Sequence, residues 1–151
     1  MPAYNSPRED SAREAIAAVR EVYADLAARP VERNCIGRTE CCQFRLTGQT
    51  PWLTEAEALL AARAFRATGR TRLPQPADGA CPMLDARTGR CVIYNDRPFA
   101  CRTHFCEAAG GPYSRREVLD LIRRLEEISA TVGGHEPRPL PSALGNHLSR
   151  G

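Results

Sequence analysis

The sequence predicts a mainly α fold in which about three helices bracket a small, irregular, cysteine-rich centre that contains one short β-hairpin. Two observations carry this expectation. Three Ser/Thr-x-x-Glu boxes each open a run of helically spaced apolar residues. All seven cysteines fall instead in the two stretches, 31–50 and 71–112, that lack such spacing. A chain of 151 residues fits one domain and can bury about two-thirds of its surface, so it needs no disulfides to fold.

The first helix opens at Ser6-Pro7-Arg8-Glu9, with Ser6 as N-cap, Pro7 tolerated at the first helical position and Glu9 closing the box. Ala12, Ile16, Val19, Tyr23 and Leu26 follow at spacings of three and four, and Pro30 supplies a stop. The second opens at Thr54 with Glu57. It buries Leu60, Ala61, Ala64 and Phe65 and ends at Gly69. The third opens at Ser114 with Glu117 and carries Val118, Leu121, Ile122, Leu125, Ile128 and Val132 up to Gly133-Gly134. Residues 1–6 are expected to be a disordered N-terminus, 7–134 a single cysteine-rich metal-binding domain, and 135–151, with Pro137, Pro139 and Pro141, a flexible Pro-rich tail.

Between the second and third helices, Asp85 to Gly89 reads as a turn and Arg90 to Tyr94 as a short β-prone run, hence the hairpin. A five-residue loop puts Met83 opposite Cys91 and Cys81 opposite Ile93, with both cysteines on one side. A four-residue loop puts them on opposite faces. Asp96 is then an N-cap and Pro98 lies in the first turn of a short helix over Phe99 to Cys106, which places Cys101 and His104 on one face.

Composition narrows the function classes. Hydrophobic residues make up 42% and charged residues 26%, an ordinary globular balance, while seven cysteines are well above average usage. No stretch has the ~18 consecutive apolar residues of a membrane span. Arg8, Glu9, Asp10, Arg13 and Glu14 interrupt any signal-peptide core, so a cytoplasmic, reducing location is expected. There, clustered cysteines serve as metal ligands or redox groups more often than as disulfides. A net charge of +3 gives no reason to expect nucleic acid, and the arginines of the third helix alternate with acids as on a solvated face. Neither a phosphate loop nor a nucleophile motif is present, so nothing marks the chain as an enzyme by itself.

The candidate metal ligands are Cys35, Cys41, Cys42, Cys81, Cys91, Cys101 and Cys106, with His104 as a further donor. Cys41 and Cys42 diverge in extended backbone, so one of them falls outside a single tetrahedral centre. Four thiolates around a divalent cation leave a charge near minus two. Arg97 and Arg102 stand beside the ligands and could offset it by donating to sulfur from outside the coordination sphere. Zinc accepts four cysteines, or three and one histidine. Iron, or a 4Fe-4S cluster held by four cysteines, is the alternative.

The run Cys91-x-Ile93-Tyr94-x-x-Arg97-Pro98-x-x-Cys101-Arg102, preceded by Cys81-Pro82-x-Leu84 and by Cys41-Cys42, resembles the bacterial YkgJ-type cysteine-cluster proteins. Their cysteine-rich domain is described as zinc- or iron-chelating and is similar to one in the flagellin lysine N-methylase. The resemblance covers roughly residues 35–106. It departs from the family pattern C-x2-C-x2-C-C at Arg38, where the second cysteine would stand. His104 could restore the count to eight donors, enough for two tetrahedral sites. Equally, one metal could take four cysteines. The resemblance implies metal binding, and the leading reading is a small cytosolic metal-binding protein with a chiefly structural centre and an unknown partner, a protein being plausible, away from membranes. Two alternatives stand beside it: an iron-sulfur redox or methyl-transfer accessory, and an RNA or protein adaptor.

Overall fold

The computed structural model describes residues 6–29, 50–76, 80–103, 113–134 and 136–150. Their architecture is mainly helical, as the spacing predicts, with five α-helices among the described residues. Helix α1 (Pro7–Ala27) is followed by strand β1 (Trp52–Leu53), helix α2 (Glu55–Ala67) and strand β2 (Arg72–Leu73). A 3-10 turn (Tyr94–Asp96) leads into the short helix α3 (Phe99–Thr103), and the long helix α4 (Arg115–Ala130) comes next. Strand β3 (Arg138–Pro139), helix α5 (Leu140–Gly145) and strand β4 (Ser149–Arg150) complete the order.

All three expected capping boxes form. Ser6, Thr54 and Ser114 each accept from the N–H of the glutamate three residues on, and that glutamate bonds back to the cap's own N–H. Each box satisfies two backbone donors that a helix start otherwise leaves open. At the far end of α2, Gly69 adopts φ +86°, which only glycine takes without strain, and the helix stops where the sequence says it should. Helix α1 stops at Ala27, three residues ahead of the proline expected to end it.

Helix α2 lies at the centre of the molecule and is buried on two faces. Ala56 and Leu60 pack with Ile16, Val19, Tyr23 and Leu26 of α1 and with Val118, Leu121 and Leu125 of α4. Ala58, Ala61, Ala62 and Phe65 face a second cluster that includes Leu53, Cys81, Met83 and Ile93. The small alanines let neighbours approach from both sides. The Ser129 hydroxyl, buried on α4, accepts from Ala56 N–H at 3.0 Å and fastens the end of α4 to the start of α2. Just beyond, a Cβ at Gly134 would lie 2.6 Å from the Glu55 Cβ and 2.8 Å from the Ser129 carbonyl, so that crossing has room for glycine alone.

From residue 136 the chain does not run on as an extended tail. Strand β3 pairs antiparallel with β1, Trp52 against Pro139 and Leu53 against Arg138, and β4 pairs parallel with β2. Between them, α5 buries Leu140, Ala143 and Leu144, and Leu148 follows them into the second cluster. The prolines are compatible with this because Pro141 stands in the first turn of α5, where its missing N–H costs no helical bond. Glu55, at the start of α2, holds this segment by an ion pair to Arg138 at 2.8 Å and a contact to His147 at 2.7 Å.

Candidate metal centre

Three of the candidate ligands, Cys81, Cys91 and Cys101, lie on described segments. Cys35, Cys41, Cys42, Cys106 and His104 lie outside the described residues. The segment 80–103 that carries the three is irregular, and its backbone is fixed by local hydrogen bonds together with core packing.

Cys81 opens a tight turn closed by Leu84 N–H on the Cys81 carbonyl at 3.0 Å. The expected hairpin contracts to one antiparallel bridge, Leu84 against Cys91, flanked by Val92 N–H to the Met83 carbonyl at 2.8 Å and Asp85 N–H to the Arg90 carbonyl at 2.9 Å. The register is therefore one residue away from the pairing expected for a five-residue loop. Leu84 rather than Met83 stands opposite Cys91, and six residues, Asp85 to Arg90, form the loop. The physical cause is the Asp85 carboxylate, which accepts from the N–H groups of Arg87 at 2.8 Å and Thr88 at 3.3 Å. Gly89 at φ +68° then turns the chain back. Those two N–H groups, with Arg70 3.3 Å away, hold the Asp85 carboxyl below the usual carboxylate range.

Because Cys81 to Leu84 is a turn and not a strand, side-chain alternation no longer decides where Cys81 points. Packing does. Cys81 is 5% exposed among Met83, Ile93 and Phe65, and the half-buried Cys91 packs against the same cluster. The structure thus seats these two cysteines on one apolar bed.

Cys101 sits on α3, whose start is held in an unexpected way. Asp96, expected to cap it, instead pairs with Arg20 of α1, its two carboxylate oxygens 3.2 and 3.4 Å from the guanidinium. The cap comes from Glu57, buried on α2, whose Oε1 accepts Phe99 N–H at 2.7 Å and Tyr23 O–H at 2.8 Å. Its Oε2 accepts the Thr54 N–H and hydroxyl, both at 3.0 Å. Four donors on one buried carboxylate offset the cost of taking it out of water. Burial, and then the Glu57 carboxylate, push the Tyr23 phenol well above its ordinary pKa.

The two arginines divide their roles. Arg102 donates to the backbone carbonyls of Arg97 at 2.7 Å and Asn95 at 2.6 Å, and its guanidinium lies 4.1 Å from the centre of the Tyr23 ring. It thereby ties α3 to the 3-10 turn and to α1. Its charge interacts with Cys101, while burial lowers its own pKa. Arg97 stacks on Tyr94 at 4.1 Å, and its buried Nε finds no hydrogen-bond acceptor among the described residues. A donor in that state suits a sulfur acceptor.

Among the described residues, no group of three histidine, cysteine, aspartate or glutamate side chains is assembled to hold a metal ion. The donor chemistry of the described part, three sulfurs with positive charge near Cys101, fits zinc or iron. Glu57, Tyr23 and Arg20 are the site-positioning residues that spacing did not reveal. Only Glu57 carried a signal, its place in a capping box, and that signal points to its own helix.

Comparison with known families gives a match over residues 33–120 to the CxxCxxCC family, described as "Putative zinc- or iron-chelating domain". No curated protein and no solved structure matches the chain. The matched span takes in all seven cysteines and more than half the sequence. With Arg38 standing where the signature's second cysteine falls, the chain belongs to this zinc- or iron-chelating cysteine-cluster family.

Proposed function

We propose that the protein is a small cytoplasmic metal-binding protein in which Cys81, Cys91 and Cys101, with at least one of Cys35, Cys41 and Cys42, hold a zinc ion. The family match over 33–120 carries the reading. It is supported by the seating of Cys81 and Cys91 on one apolar bed and by the four-donor anchoring of the helix that bears Cys101. When bound, zinc would cross-link segments distant in sequence, a structural role that thiolate ligands serve well. The unpartnered Arg97 Nε is the group to donate to a metal-bound sulfur and offset the charge of the thiolates. Arg102, committed to backbone carbonyls, acts by holding α3 in place. Among the described residues no helix is long and apolar enough to cross a membrane.

Metal analysis of protein purified without oxygen tests the reading. Colourless protein with stoichiometric zinc supports it. Brown protein with matching iron and inorganic sulfide replaces zinc by an iron-sulfur cluster in the same ligands, and protein that takes up neither metal overturns the proposal.

A further inference from the structure

Beside Cys91, and apart from the other two described cysteines, lies a cleft of about 410 Å³ between α1, α2 and the 91–96 segment. That size falls within the range of small-molecule sites. We infer that it binds a small organic oxyanion, a carboxylate or phosphate ester with an aromatic or apolar portion.

Charge argues for the anion. Arg20 and Arg63 both line the cleft, and Asp96 is the acid among its lining residues, so these fixed charges sum to plus one. Asp96 is already engaged, since it holds the Arg20 guanidinium through both carboxylate oxygens. That pair orients Arg20 in advance while occupying only part of its five-donor fork. Arg63, exposed on α2, has no ion-pair partner among the described residues, so a planar oxyanion would displace nothing to reach it.

The remaining lining argues for an apolar portion. Val92 forms part of the wall, and the Tyr94 ring, 46% exposed, stands at its edge with Arg97 stacked on it. An exposed tyrosine braced in this way presents a rigid aromatic surface at little entropic cost. The inference does not rest on the metal reading, because Arg20, Arg63 and Tyr94 are held by α1, α2 and the 3-10 turn.

The test is an amide NMR titration of the full-length protein with inorganic phosphate and with phenyl phosphate, at constant ionic strength. Saturable shifts confined to residues 91–96 and the neighbouring turns of α1 and α2 are expected, with phenyl phosphate at least tenfold tighter than inorganic phosphate. Arg63→Ala should weaken phenyl phosphate at least tenfold while the helical circular dichroism stays unchanged. Equal binding of the two probes overturns the ligand class. Binding that survives Arg63→Ala, or shifts centred on the arginines of α4, overturns the site. Metal content is measured on the same sample. Protein that holds no metal yet binds phenyl phosphate removes the metal reading alone, and metal-loaded protein that ignores the probe removes this one alone.

Discussion

Glu57 accepts the backbone N–H of Phe99 at 2.7 Å, so a carboxylate buried on α2 caps the short helix that carries Cys101. The same oxygen accepts the Tyr23 hydroxyl, and the other oxygen closes the capping box at Thr54. One side chain thereby joins α1, the start of α2 and the helix that carries Cys101. Replacing it by alanine leaves four buried donors without an acceptor, at about 1–3 kcal/mol for each group that water cannot reach. Since some will rehydrate, Glu57→Ala should cost about 2–4 kcal/mol in urea unfolding. Glu57→Gln keeps a carbonyl for Tyr23 and Phe99 and should cost clearly less. Equal losses for the two variants would mean that packing alone, and not acceptor capacity, explains the residue.

The C-terminal segment yields a second expectation. Leu140 and Leu144 are 1% and 0% exposed, so α5 is part of the core. Leu144→Ala should cost about 2–5 kcal/mol, the range for leucine truncation in a packed interior. Ending the chain after Gly134 should cost more still, because it also opens one side of Phe65 and Met83. Thermal unfolding measures both. A truncated protein that melts with the full chain would mean that the segment contributes nothing to the core.

These cases show which parts of the structure could be read in the sequence. The capping boxes were legible because every partner lies within three residues, and local chemistry settles them. Helix α5 was hidden by its length of six residues and by prolines that look like breakers, although Leu140, Ala143, Leu144 and Leu148 carry helical spacing. The cysteine register slipped by one because loop length was set by the Asp85 side chain. Glu57 was legible as a cap for its own helix, but its bonds to Tyr23 and Phe99 span 34 and 42 residues and have no local signature. The arginines next to the cysteines were legible as neighbours. Only tertiary structure shows that Arg102 is committed to backbone carbonyls while the Arg97 Nε has no acceptor among the described residues.

A third prediction concerns acid. The carboxyl of Asp85 has a folded pKa below its ordinary 3.8, because two backbone N–H groups favour the charged form. A group depressed on folding contributes stability that is fully present above its unfolded pKa and is lost as pH falls through the folded value. The 85–90 loop should therefore keep its shape as pH falls past 3.8 and open only at a lower pH. If the cysteines hold a metal as proposed, their thiolates protonate at a higher pH, so metal loss should come first and loop opening second. Carbon-13 NMR of the Asp85 carboxyl, followed beside metal release during one acid titration, resolves the order. Simultaneous transitions would mean that the loop is held by the metal and not by its own hydrogen bonds. Asp85→Asn should leave metal release in place and remove the later step.

The last prediction separates what the metal holds from what the core holds. Helix α4 buries Val118, Leu121 and Leu125 against α1 and α2, and among the described residues none of these contacts involves a cysteine. Within segment 80–103, by contrast, residues 84–91 are restrained by one β-bridge and a few turn bonds, with Cys81 just before them and Cys91 at their end. If those cysteines ligate a metal, chelation or Cys91→Ser should raise amide exchange across 80–103 by tenfold or more. Exchange in α4 around Leu121 and Leu125 should change little, because apolar burial of roughly 1.5–3 kcal/mol per side chain remains in place there. Met83 and Ile93, buried beside Phe65, should keep some protection even without metal, and α3 should keep some through Glu57 and Arg102, so the loosening should be greatest at 84–91. Hydrogen exchange with mass detection, run with and without chelator, reads all of these regions at once. Unchanged protection across 80–103 would show that Cys81 and Cys91 act as small buried hydrophobes on their apolar bed, and the metal reading would lose its physical basis.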